Sequence, residues 1–277
     1  MLPIFRKPSN RPAATRAPDG MASAIPTQPG HGNQASAPRP PRKLAGLVPQ
    51  ATMHRLFARS RLLRRVTVGT LSRVELVIMG GHKQRSRLDI IRRVRSERES
   101  LLSGNEAFMI TSLAAAQRAV GGVMAEVGVF QGCSAKLISV AGRPEQLHLF
   151  DTFAGLPEPD RDERRAMRKG HYAASLEAVR SYLSDQPNIV FHKGLFTGAN
   201  VSCSGERFSF VHLDVDLKEG TRACLEFFYP RMLPGGVILS HDYSYLDGVR
   251  EAFQEYLADR PERVIELPSS QVMLIKT

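Results

Sequence analysis

Ser209-Phe-Val-His-Leu-Asp-Val-Asp216 is an apolar run that ends in two carboxylates, Asp214 and Asp216. Read as a strand over residues 208–216, the i, i+2 spacing puts both acids on one face. His212 falls on the same face, deeper in the strand, where a hydrogen-bonded structural histidine is expected. A second apolar run, Val237-Ile-Leu-Ser-His-Asp242, ends in another acid about a strand and a helix later. In an open parallel α/β sheet, ligands bind beyond the carboxyl ends of the strands. Asp214, Asp216, His241 and Asp242 are therefore candidates for a divalent-cation site and an acid–base step.

Outward from that stretch the chain alternates. A helix is expected over Ala107–Val120, stopped by Gly121-Gly122. Strands follow at Val123–Val129, Gln146–Phe150, Ile189–His192, Phe208–Asp216 and Gly236–Leu239, with helices at Ser134–Ala141, Ser175–Leu183, Thr221–Tyr229 and Leu246–Ala258. Such alternation predicts a mainly parallel sheet with helices on both faces. Val264–Glu266 and Val272–Lys276 are separated only by Pro268-Ser-Ser-Gln271, a link that permits an antiparallel hairpin but no parallel crossover. Seven strands are expected, the last antiparallel.

The net charge of +11 is unevenly placed. Residues 1–100 hold 20 Lys/Arg against 5 Asp/Glu, and residues 101–277 hold 18 against 22. The basic character belongs to the N-terminal third, so whole-chain charge is weak support for a nucleic-acid partner. Residues 1–42 are rich in Pro, Ala, Ser, Gly and Gln and read as a disordered basic tail. Residues 43–104 read as a basic helical extension. Within it, the amphipathic stretch 53–66 either lies on an anionic membrane surface or packs its Leu/Phe stripe on the domain or on a second subunit of a homo-oligomer. Residues 85–100 read as a solvated helix leading into a catalytic domain at 105–277. The apolar runs are too short to span a bilayer, and the first residues, Met-Leu-Pro-Ile-Phe-Arg-Lys, lack secretory-signal order. Cys133, Cys203 and Cys224 have no metal-ligand spacing. A cytoplasmic location is expected.

Glu126-Val-Gly-Val-Phe-Gln-Gly-Cys-Ser134 follows the first strand and opens a helix. Gly128 and Gly132 allow a tight turn and close approach of a ligand, and Ser134 is placed to cap the helix. The spacing is GxxxG rather than the GxGxxG of dinucleotide binders. Taken alone, the turn is equally well a bare strand–helix connection. The next strand ends in Phe150-Asp151-Thr152-Phe153, and an acid there commonly holds ribose hydroxyls. Asp151 alone is also readable as a cap on the following turn.

The chain resembles the macrocin O-methyltransferase family of metal-dependent sugar O-methyltransferases. The segments that carry the resemblance are Glu126–Ser134, Leu149–Asp160, Phe191–Phe196, Phe210–Leu217 and Leu225–Tyr243, within residues 105–277. The resemblance implies a Rossmann-like class I methyltransferase fold, S-adenosylmethionine as methyl donor and Mg²⁺ or another divalent cation. It implies that Glu126, Gly128, Gly132 and Ser134 line the amino-acid and ribose side of the cofactor. Asp151, with Thr152, would meet the ribose, and the Lys193–Phe196 turn, with Gly194 and Phe196, would sit near adenine. Asp214 becomes a metal ligand and Asp216 the general base. The family's next acid pair reads His241-Asp242 here. Asp242 matches as a ligand; His241 departs, and imidazole suits softer metals than Mg²⁺. The departure leaves three outcomes open: Mg²⁺ held by fewer carboxylates, another divalent metal, or no metal with His241 acting as base. Lys218 also departs from the pattern, and either pairs with Glu219, faces an anionic acceptor or is a solvated surface residue.

The loop 157–174 is long and charged, a lid or a solvated connection. Its Arg164, Arg165, Arg168 and Lys169 are candidates to face an anionic acceptor. The expected partner is a small-molecule glycoside or saccharide. Two competing readings are a nucleic-acid methyltransferase docked by the basic N-terminus and a non-catalytic binding protein that keeps the fold. The first lacks interleaved aromatics for base stacking. The second is opposed by the retained acids at both ends of the expected site.

Overall fold

The computed structural model describes residues 61–165, 167–199 and 201–277, with only the backbone described for 61–65 and 165. The expected disorder of 1–42 and residues 53–60 of the basic stretch lie outside the described residues. Three helices come first: α1 (Arg61–Gly80), α2 (Arg85–Glu97) and α3 (Gly104–Gln117). Helix α2 is more than a solvated lead-in, because Leu88, Ile91 and Val94, spaced i, i+3, i+6, bury one face. Helix α3 starts ahead of the expected Ala107 because Ser103 and Glu106 cap it reciprocally. Ser103 Oγ accepts from the Glu106 N–H at 3.2 Å, and Glu106 Oε2 accepts from the Ser103 N–H at 2.8 Å. A cap of this kind contributes about 1 kcal/mol.

Alternation then proceeds as β1 (Val123–Val127), α4 (Cys133–Gly142), β2 (Leu147–Asp151), α5 (Leu176–Tyr182), β3 (Ile189–Lys193) and β4 (Phe208–Leu213). It continues as α6 (Lys218–Phe228), β5 (Met232–Ser240), α7 (Asp247–Leu257), β6 (Ile265–Glu266) and β7 (Val272–Ile275). The seven strands form one sheet in the order β3-β2-β1-β4-β5-β7-β6. The first five are parallel; β7 runs antiparallel to both β5 and β6. This is the Rossmann-like α/β arrangement. Strand order reverses on the two sides of β1, so the crevice between the ends of β1 and β4 is where such a sheet accepts ligands.

Apolar residues cover both faces of the sheet. On one face Met79, Ile91, Ile110, Leu137 and Ile138 pack with Met124, Leu149 and Phe210. On the other, Leu225, Phe228 and Phe253 pack with Val211, Leu213 and Ile238. Because α1 and α2 share the first of these clusters, packing does not separate 61–104 from the sheet. Among the described residues no helix is long and apolar enough to cross a membrane.

One expectation needs correcting. Strand β4 stops at Leu213, not at Asp216. Asp214 still donates its N–H to Val127 O at 2.9 Å, but Asp216 has φ +61° and lies in a left-handed turn. The shared-face argument for the two acids therefore does not apply; the loop after β4 sets their directions. Strand β1 likewise ends at Val127, because Gly128 at φ +88° turns the chain.

Candidate active site

The carboxyl ends of β1, β2, β4 and β5 border a cavity of about 1160 Å³. Its lining joins Gly128, Ser134, Asp151, Thr152, Gly194 and Phe196 at one end to Asp214, Asp216, His241 and Asp242 at the other. That volume lies at the upper end of ordinary small-molecule sites.

At the first end the backbone is shaped by close approach. A Cβ on Gly128 would lie 1.9 Å from Asp214 O, so only glycine lets β1 turn against the end of β4. Gly132, at φ +82°, is the N-cap of α4 but is absent from the cavity wall. Asp151 ties the turn together. Its Oδ2 accepts from the N–H groups of Val129 (2.7 Å) and Phe130 (3.0 Å), and its Oδ1 accepts from Phe153 N–H (2.7 Å). The capping role and the ligand role are compatible here, since Asp151 also faces the cavity. Thr152 Oγ1 donates to Gly155 O at 2.7 Å and so serves its own turn. Gly194 donates its N–H to Asp151 O at 2.9 Å. Phe196 stacks on Phe228 with ring centroids 5.3 Å apart.

Glu126, expected beside the cofactor, lies behind the wall. It is fully buried on β1, and its Oε1 sits 2.8 Å from His212 Nδ1, also fully buried. Burial pushes the Glu126 carboxyl up to about 8, with Ser134 opposing and Asp151 reinforcing the shift. Burial brings the His212 imidazole down to about 4. The pair is therefore a neutral hydrogen bond rather than an ion pair, and His212 has the structural role expected of it.

At the other end, ligand atoms of Asp214, His241 and Asp242 lie within 4.8 Å of one another. His241 Nδ1 is 3.5 Å from Asp242 Oδ1 and 3.8 Å from Asp214 Oδ1. Enclosure at the cavity floor raises Asp214 to about 6, and His241 beside it limits the rise. Asp216 is raised well above the usual carboxylate range by burial and by its neighbours Asp242 and Asp214. Burial would raise Asp242 as well, but the His241 ring next to it outweighs that and lowers it. Burial would lower His241, yet Glu106, Asp214 and Asp242 together hold it well above its ordinary value.

Glu106 is the residue that sequence reasoning missed. Its Oε2 lies 3.5 Å from His241 Nε2, and its Oε1 accepts from Ser270 Oγ at 2.8 Å. His241 pulls the Glu106 carboxyl far down against the cost of burial. The signal available was the Ser103-x-x-Glu106 capping box, which points to a helix start and says nothing of the site. Asp214 and Asp242 fit a divalent cation as oxygen donors. The imidazole among them adds a nitrogen donor that suits a borderline metal better than Mg²⁺.

At the rim, the readings in which basic residues face the cavity are not supported by the described side chains, and the solvated readings stand. The cavity wall from the 157–174 loop contains Glu158, Asp160, Glu163, Met167, His171 and Tyr172, but not Arg164, Arg168 or Lys169. Arg164 instead reaches Glu158 at 3.3 Å and Pro159 O at 3.1 Å. Lys218 turns from both Glu219 and the cavity to pair with Glu251 (3.0 Å) and Glu255 (2.8 Å) on α7.

Comparison with known proteins gives the family and the fold. A family model described as Macrocin-O-methyltransferase (TylF) matches residues 109–272. A Streptomyces olivaceus protein named 8-demethyl-8-(2,3-dimethoxy-alpha-L-rhamnosyl)-tetracenomycin-C 4'-O-methyltransferase is 31% identical over 155 residues, which are 50% of this chain and 58% of that one. The chain thus matches less than two thirds of that relative's length. Among solved structures, the O-methyltransferase NovP aligns with a TM-score of 0.58 at 22% identity, over 64% of this chain and 82% of that chain. The calicheamicin methyltransferase CalS11 aligns with a TM-score of 0.53 at 19% identity, over 74% and 91%. Both likenesses show the fold.

Proposed function

The chain belongs to the macrocin O-methyltransferase family, and from that premise we propose that it transfers a methyl group from S-adenosylmethionine to a hydroxyl of a glycosylated small molecule. The observation that carries the reading is the single cavity that joins a glycine-turn end to an acid end. The match of half the chain to a rhamnosyl O-methyltransferase supports a sugar hydroxyl as acceptor.

In this reading the turn at Gly128, the Asp151 carboxylate, Ser134, Thr152, Gly194 and Phe196 hold the methyl donor. Glu126 and Gly132 act from behind, one by bracing His212 and the other by shaping the start of α4. When bound, S-adenosylmethionine supplies an electrophilic methyl on a sulfonium. Asp214 and Asp242, with His241, would hold a divalent cation, which when bound polarises an acceptor hydroxyl. Asp216, once ionised beside a bound cation, would accept the proton that the hydroxyl loses as its oxygen bonds to the methyl carbon and the sulfur–carbon bond breaks. The residues at the rim, Glu158, Asp160 and Glu163, favour a neutral or cationic acceptor over an anionic one. A cytoplasmic setting belongs to the same reading; the three free cysteines support it.

His241 supports a second reading of the acid end. An imidazolium between Glu106, Asp214 and Asp242 offsets their charge without a metal, so that transfer proceeds metal-free. The deciding experiment is transfer of labelled methyl from S-adenosylmethionine into a panel of glycosides, with EDTA and then with added Mg²⁺ or Mn²⁺. Loss with EDTA and recovery with metal supports the first reading; an EDTA-resistant rate supports the second. No label in any glycoside, together with no cofactor binding by calorimetry, rejects the function.

A further inference from the structure

Helix α1 has two apolar faces, and among the described residues only one of them is packed. Ser72, Leu76 and Met79 are buried against the core. On the opposite side Val66, Leu71, Val74, Val77 and Ile78 are 56%, 50%, 52%, 75% and 63% exposed. Their spacing follows the helical repeat, so they form one stripe. It exposes on the order of 400 Å² of apolar surface, as much as the largest patch on a typical monomer, where such patches are often functional. The remaining exposed large hydrophobics, such as Leu195 and Tyr245, are scattered on other elements.

Charge decides what covers this stripe. Residues 61–97 hold ten Lys/Arg against three Asp/Glu, while residues 101–277 hold 18 against 22. Arg73 is exposed within the stripe itself, and Lys83 and Arg85 are exposed on the adjoining turn and the start of α2, whereas Arg92 and Arg93 are paired with Asp89 and Glu97. A second copy of the same face would bring like charges together. An anionic lipid surface meets the arginines with opposite charge and receives the apolar side chains, which is how an interfacial helix binds. The stripe also adjoins the cavity, because Leu71 belongs to both and Thr67, Val68 and Glu75 line the same wall.

We propose that the outer face of α1 docks on an anionic bilayer surface. So docked, the protein opens its cavity at the edge of the lipid-facing helix.

The test is co-sedimentation of the full chain with vesicles of phosphatidylglycerol and phosphatidylcholine, against vesicles of phosphatidylcholine alone. The variant carries Val74→Ser, Val77→Ser and Ile78→Ser, which remove apolar contact without changing charge and leave the cavity wall intact. The expected result is preferential binding to the anionic vesicles that falls at least about tenfold in the variant. Calorimetric titration with S-adenosylmethionine shows whether the variant keeps its fold and cofactor site; loss of cofactor binding in both proteins counts against the proposed activity and leaves docking to the vesicle result. Equal vesicle binding by wild type and variant overturns the proposal, since the basic residues outside α1 would then account for it. A wild-type dimer in sedimentation equilibrium that the variant dissociates, with no vesicle binding, also overturns it and gives the stripe to a second copy.

Discussion

His241 sits where three acids meet, 3.5 Å from both Glu106 and Asp242 and 3.8 Å from Asp214. Its replacement tests what the cluster holds. His241→Asp exchanges a nitrogen donor for an oxygen donor, so the thermal upshift produced by Mg²⁺ should grow relative to that produced by Mn²⁺ or Co²⁺. An unchanged metal order would remove His241 from the ligand set. Asp216→Asn removes the proposed base and leaves the cofactor end untouched. Labelled methyl transfer should fall by about 10²–10⁴ while the calorimetric Kd for S-adenosylmethionine stays constant; a full rate would sink the assignment. Behind the wall, Glu126 makes a separate prediction. Its folded value of about 8 lies above the 4.5 of a free carboxyl, because burial favours the protonated form. The native state therefore binds more protons than the unfolded state between these values, and stability falls as pH rises from about 5 to 8. Glu126→Gln should flatten the fall in Tm over that window, measured by thermal melts; a slope that persists would place its origin elsewhere.

At the scale of elements, the turn after β1 is the most constrained. Gly128→Ala forces a Cβ into Asp214 O and a side chain into φ +88°. A loss of about 2–4 kcal/mol is expected, with both cofactor and metal affinity reduced, because one turn fixes the ends of β1 and β4 together. Chemical denaturation checks the first figure, and variant binding at wild-type strength would show that the two ends are independent. The alternation of strands and helices was legible because each strand is a short apolar run with a turn signal at its end. The hairpin of β6 and β7 was legible from the shortness of Pro268–Gln271. The end of β4 was not. Asp214-Val-Asp216 continues the strand's alternation in sequence, and only the left-handed φ at Asp216 breaks it. The start of α3 was displaced for a related reason: apolar periodicity begins after the cap, whereas Ser103 and Glu106 begin the helix before it. Glu106 was invisible as a site residue because its approach to His241 joins α3 to β5 across 135 positions, which no local pattern records.

At the scale of the whole molecule, the acids read in the sequence as a cluster do converge, but burial and mutual repulsion come with them. Asp214, raised to about 6, and Asp216, raised well above the usual carboxylate range by burial and by its neighbours Asp242 and Asp214, mark a floor that holds more negative charge than its surroundings favour. For Asp214 the folded value exceeds the free value of 3.8, so its contribution to stability is full below about pH 4 and is lost as pH rises through about 6. A divalent cation reverses that trend, because it binds the ionised carboxylates of the native state and not the unfolded chain. At 100 times its Kd a cation stabilises by about 2.7 kcal/mol, or roughly 5–10 °C in Tm for a domain of this size. Differential scanning fluorimetry at pH 7.5 with EDTA, Mg²⁺ and Mn²⁺ should show that upshift, and Asp214→Asn should abolish it. If no metal moves Tm and Asp214→Asn leaves it unchanged or lowers it in EDTA, the cluster's charge is balanced within the protein. The imidazole of His241 would then be the cation around which the acid end is built.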